Sequence, residues 1–97
     1  MIKVLVTKDK IEVTGHSDYD NIGKDIVCSA VSSIVTTTIN GIISIDSDAI
    51  FYDYNRDIME INIIKHDDVT IKLVNNMIDL LKSLSKDYPK NIKVKEI

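Results

Sequence analysis

Asp25-Ile-Val-Cys-Ser-Ala-Val-Ser-Ser-Ile-Val-Thr-Thr-Thr-Ile-Asn-Gly-Ile-Ile43 is the stretch on which the fold turns. Val27, Ala30, Val31, Ile34, Thr38 and Ile42 recur at helical spacing and define one apolar face. Against that, Val31 to Ile39 is crowded with β-branched residues, which favour strand locally. Length decides between them, because the run is too long for one strand. Asp25 also stands where an N-cap belongs, just ahead of the periodic pattern. The expectation is a helix over 25–43, held by tertiary packing more than by propensity. Gly41 and the polar run Ser44-Ile45-Asp46-Ser47-Asp48 are expected to end it.

Towards the N-terminus, residues 2–7 are mostly apolar and 11–14 alternate, with the polar turn Lys8-Asp9-Lys10 between them. That is a hairpin with one strand more buried than the other. Gly15 closes its second strand, and residues 16–24 form a polar loop bracketed by Gly15 and Gly23. Towards the C-terminus, 50–54 and 58–65 read as a second hairpin around Asn55-Arg56-Asp57. A second helix is expected over 68–87, capped by Asp67 or Asp68 and stopped by Pro89. Its stripe is Leu73, Val74, Met77, Leu80, Leu81 and Leu84. A last strand covers 91–96, with Ile92 and Val94 on the inner side. The order ββ-α-ββ-α-β predicts an α+β two-layer sandwich: a sheet of about five strands with both helices packed on it.

Ninety-seven residues suit a single domain, 1–97. The net charge of -3 argues against direct nucleic-acid binding by bulk electrostatics and is compatible with a basic protein partner. A lone cysteine excludes an internal disulfide framework and fits a reducing compartment. The opening apolar run is too short for a signal peptide, and no segment is expected to reach transmembrane length. A cytoplasmic protein without membrane attachment is the expectation. No cofactor or metal is expected: one cysteine and two distant histidines do not make a zinc site, and the acidic stretch 46–57 lacks the central glycine and closing glutamate of a calcium loop.

Chemistry concentrates at the start of the first helix. With Asp25 as cap, Cys28 falls in the first turn, where free amides and the helix dipole favour a thiolate and could hold an oxyanion. His16, across the loop, could take the thiol proton and return it to a leaving amine. The other reading makes Cys28 a small buried apolar residue and His16 a strand-end surface residue. Asp18 and Asp20 could attract a basic peptide, or belong to a solvated loop. His66 beside Asp67 reads as solvated surroundings of the second cap.

The run Gly15-His16-Ser17, followed by Gly23-x-Asp25-Ile26-Val27-Cys28-Ser29-Ala30-Val31-Ser32, closely resembles the signature of the bacterial ribosomal-processing cysteine proteases, the Prp family. The likeness extends to both hairpins, to Thr38-x-Asn40-Gly41 and to Tyr88-Pro89 before the final strand. It implies a small cytoplasmic endopeptidase, active without a cofactor. Its substrate would be a large-subunit ribosomal protein precursor, whose N-terminal extension it removes after an aromatic residue. By the same resemblance Cys28 is the nucleophile and His16 the general base. Asp25, Ser32, Gly15 and Gly23 are supporting positions, and Ser17, Asp18, Tyr19 and Asp20 belong to a substrate loop. A homodimer is implied as well. The competing function is a non-enzymatic ribosome-associated binding module, with Cys28 in its core and the loop as its docking surface.

Overall fold

The structure is a computed structural model that describes residues 1–15, 22–55 and 58–97, with the backbone alone for 22–25. Its elements run β1 (Ile2–Val6), β2 (Lys10–Thr14), α1 (Ile22–Ile45), β3 (Ile50–Asn55), β4 (Ile58–Ile63), α2 (Asp68–Asp87) and β5 (Ile92–Glu96). The strands form one sheet in the order β3-β4-β2-β1-β5. Only the β1–β5 pair is parallel; the other three are antiparallel. Both helices lie side by side, α1 towards β3 and α2 towards β5. This is the expected two-layer α+β sandwich.

Strand period 2 sets the inner face. The pairing aligns Tyr54–Met59–Val13–Val4–Val94 in one row across the sheet and Tyr52–Ile61–Ile11–Val6 in the next. Val4, Ile11, Ile61 and Ile92 from the sheet meet Val27, Val35, Ile42, Met77 and Leu81 from the helices, and all nine are fully buried. Each such side chain contributes roughly 1.5–3 kcal/mol of hydrophobic stabilisation.

The second helix follows its sequence signals closely. The Asp67 carboxylate accepts the Thr70 amide at 2.8 Å, which fixes the N-terminus. That bond holds the Asp67 carboxyl below the usual carboxylate range. Tyr88, ahead of Pro89, donates its amide to the Leu84 carbonyl at 2.9 Å and ends the helix. The buried set is Thr70, Val74, Met77, Ile78 and Leu81, so the expected stripe needs one correction. Leu80 is 46% exposed and Ile78 takes its place inside. At 100° per residue Leu80 sits ~100° from the centre of the buried set and Ile78 only ~60°. His66 is also more engaged than expected, with its Nε2 2.9 Å from Asp9 Oδ1.

The first helix departs from its expectation at both ends. It begins at Ile22, three residues before Asp25, so Asp25 is not its N-cap, and Gly23 stands inside the first turn instead of bracketing a loop. It runs through Gly41 and stops at Ile45, where the Asp46 amide bonds to Ile42. A helix interior tolerates Gly41 at a cost of roughly 1 kcal/mol, so a glycine alone does not end it. The buried line is Val27, Val31, Val35, Ile39 and Ile42, with Ala30, Ile34 and Thr38 only half-buried. Its centre is rotated ~50° from the face that the sequence pattern selects. Thr38 is accommodated because its hydroxyl donates to the Ile34 carbonyl at 2.9 Å.

One further expectation is overturned. Ile26–Ile45 is long and apolar enough to cross a membrane by length and composition. In this fold its apolar line faces the sheet and α2, and Ser29, Ser32, Ser33, Thr36, Thr37 and Asn40 stand on its exposed side. The radius of gyration, 13.1 Å, is that of a compact domain.

Candidate active site

The rotation of α1 carries Cys28 inward. Its side chain is half-buried and packs against the core beside Val27 and Val31. Because α1 begins at Ile22, Cys28 lies in the second turn, not the first. Its amide is then directed at the carbonyl four residues back, within the helix. The expected thiolate stabilisation by free first-turn amides therefore does not apply at Cys28, since that effect fades beyond the terminal turn. The same holds for those amides as oxyanion donors beside it.

What Cys28 does have is a hollow of about 120 Å³. The row Tyr54–Met59–Val13 supplies its floor from three neighbouring strands. Cys28, Val31, Ser32 and Val35 form the α1 wall, and Ile2 and Gly15 close one end. No charged side chain is among these residues, so the hollow suits an apolar group set against a thiol and a hydroxyl. Ser32, one turn after Cys28, lines it as well.

Gly15 is built into this end for a steric reason. Its φ is +98°, and a Cβ there would collide with the Met1 carbonyl oxygen. Only glycine satisfies both constraints. His16 and the loop positions Ser17, Asp18, Tyr19 and Asp20 lie outside the described residues, as does the side chain of Asp25, and of Gly23 only the helical backbone is described. The described site therefore joins Cys28, Ser32 and Gly15 from the residues singled out in the sequence.

Tyr54 and Met59 are among the lining residues that the sequence reading did not assign to the site. For Tyr54 the strand phase offers a signal. Tyr52 and Tyr54 share the strand phase of buried Ile50, yet are 49% and 67% exposed. Aromatic residues in core phase without core cover mark a surface that something else fills.

Comparison with known proteins bears on this site directly. Residues 1–93 match the family described as Cysteine protease Prp. The ribosomal processing cysteine protease Prp of Staphylococcus aureus (strain Mu50 / ATCC 700699) is 30% identical, over 97% of each chain. Two crystal structures of the S. aureus ribosomal processing protease Prp share the fold over all of both chains. One, with a covalently linked product peptide, has a TM-score of 0.89 at 24% identity. The other, with a substrate peptide, has a TM-score of 0.91 at 23% identity. The family match, which spans nearly the whole chain, and the relative's identity agree with a cysteine set in an apolar hollow, and the chain belongs to the Prp family of cysteine proteases.

Proposed function

We propose that this chain is a cysteine endopeptidase that removes the N-terminal extension of a large-subunit ribosomal protein precursor, working as one protease domain over residues 1–97. The observation that carries the reading is Cys28 on the wall of a hollow whose described lining is mostly apolar, in a member of the Prp family. Cys28 Sγ attacks the scissile carbonyl as the thiol proton passes to His16. His16 then protonates the leaving amine, and a thioester to Cys28 remains. Water, activated by the same imidazole, hydrolyses that thioester and restores the thiol.

Covalent geometry supports His16 as the base. Gly15, which lines the hollow with Cys28, is the residue directly before His16 in the chain. Ser32 sits one helical turn from Cys28 on the same wall and offers a hydroxyl to the bound peptide. Asp25 and Gly23 support the nucleophile's turn of α1, and Ser17, Asp18, Tyr19 and Asp20 contact substrate. The enzyme acts in the cytoplasm, as a homodimer and without a cofactor.

The test is a peptide covering the extended N-terminus of the organism's own ribosomal precursor, offered to the native chain and to Cys28→Ala, with products read by mass. One cut, present with the native chain and absent with Cys28→Ala, is the expected result. Retained cleavage by Cys28→Ala overturns the assignment. Binding without cleavage by the native chain replaces the enzyme with a binding module.

A further inference from the structure

A second hollow, about 140 Å³, adjoins the one at Cys28 and is lined by Thr36, Ile39, Asn40, Tyr52, Tyr54 and Met59. Tyr54 and Met59 line both hollows, so the two are parts of one groove between α1 and the β3–β4 hairpin. On the helix side, the groove is edged by a row at every fourth residue: Cys28 and Ser32 at the first hollow, Thr36 and Asn40 at the second. Four helical residues rise ~6 Å. Two residues of an extended chain span roughly 6.5–7 Å. An extended peptide laid along this row therefore keeps step with it, and Cys28 to Asn40 covers roughly 18 Å, five or six peptide residues.

The chemistry of the second hollow is as specific as its position. Ile39, Met59 and the two tyrosine rings give it apolar walls, and Thr36 and Asn40 place hydrogen-bonding groups at the rim. No charged residue is among its described lining residues. Its tyrosines are the exposed aromatics in core phase, the residue type that anchors protein partners.

We propose that this hollow is a second specificity subsite. It takes an apolar or aromatic side chain three or four residues from the one seated over Cys28, with Tyr52 and Asn40 as its selective walls. The occupant is the substrate peptide, because the groove is continuous with the hollow that holds the nucleophile. The inference rests on the protease reading only for the identity of that peptide.

The experiment separates the two. A fluorescent peptide covering the extended N-terminus of the ribosomal precursor is bound to Cys28→Ala, where no turnover occurs, and followed by anisotropy. Alanine is then placed at each peptide position in turn. One replacement, three or four residues from the cut made by the native chain, should weaken binding about tenfold, the scale of one buried apolar side chain. Adding Asn40→Trp, which fills the hollow, should weaken the parent peptide similarly and erase the penalty of that single alanine. Tyr52→Ser, on the opposite wall, should reduce the same penalty and leave those at other positions unchanged. Both sites are exposed, and far-UV circular dichroism checks that each variant is folded.

Penalties that stay equal with the hollow open and filled overturn the subsite, even if the native chain cleaves normally. Position-specific coupling without cleavage keeps the subsite and removes the protease reading. An absence of binding to every variant removes both.

Discussion

The two helices are built from similar numbers of residues and bury similar stripes, yet one is written plainly and the other is not. α2 has an aspartate that caps it, a lysine in its last turn, a proline just beyond and five buried positions facing one way. α1 has no basic residue in its last turn, a glycine near each end and a run of threonines. The difference follows from their tasks. α2 serves the core with Thr70, Val74, Met77, Ile78 and Leu81. α1 serves the core with Val27, Val31, Val35, Ile39 and Ile42, and serves the groove with Cys28, Ser32, Thr36 and Asn40. Small polar side chains along the groove keep it open to a peptide, and they blur the apolar pattern that would announce a helix.

That contrast can be broken from either side. The largest effect should come from Cys28→Ala, with cleavage falling by more than about 10³-fold. Its thermal unfolding should stay close to native, because the residue is only half-buried. A large drop in Tm would mean that α1 carries its groove side for stability after all. Leu81→Ala should do the reverse in α2: it empties a fully buried site and should cost roughly 2–5 kcal/mol in chemical denaturation. Cleavage per folded molecule should be unchanged.

Smaller changes sharpen the picture. A Cβ at Gly41 meets nothing within 4 Å, and the helix runs straight through it. Gly41→Ala should therefore stabilise the protein by about 0.5–1 kcal/mol in urea titrations. A destabilisation there would show that α1 needs the freedom of glycine. The smallest effect concerns the cap of α2. The Thr70 amide lowers the Asp67 pKa from its ordinary value of 3.8. A carboxyl with a depressed folded pKa contributes stability that is present above its unfolded pKa and lost as pH falls through the folded one. Asp67→Asn keeps a capping oxygen and removes the titration. Its stability should decline less than the native protein's between about pH 4 and lower values. Parallel acid limbs would show that the cap carries no charge contribution.

Legibility in the sequence tracks the same division. Strand bounds, the α2 span and the layer order are set by local signals: alternation in 11–14 and 58–63, Asp67 as cap, Pro89 as stop. The start of α1 was missed because Asp25 resembles a cap and Gly23 resembles a breaker, although a first-turn glycine interrupts no interior packing. The burial of Val35 and Ile39 was missed because the whole run is apolar or β-branched, and period alone does not select among such positions. Only the neighbouring sheet and α2 fix the rotation. Cys28 and Ser32 were legible through a family signature, whereas Tyr54 and Met59 reach the site by cross-strand pairing, which no linear spacing displays.

The parallel pairing of β1 with β5 has a consequence for how the molecule comes into being. It joins Ile2 to Ile92, the first strand to the last of the seven elements to be synthesised. Every described groove residue lies at or before Met59 and so emerges from the ribosome long before β5 does. Until β5 arrives, α2 lacks its strand partner, and Ile2 and Val4 lack a neighbour on one side. Closing so long a span costs chain entropy on the order of 4 kcal/mol and slows folding. The nascent chain is thus kept from completing its core until β5 has been made.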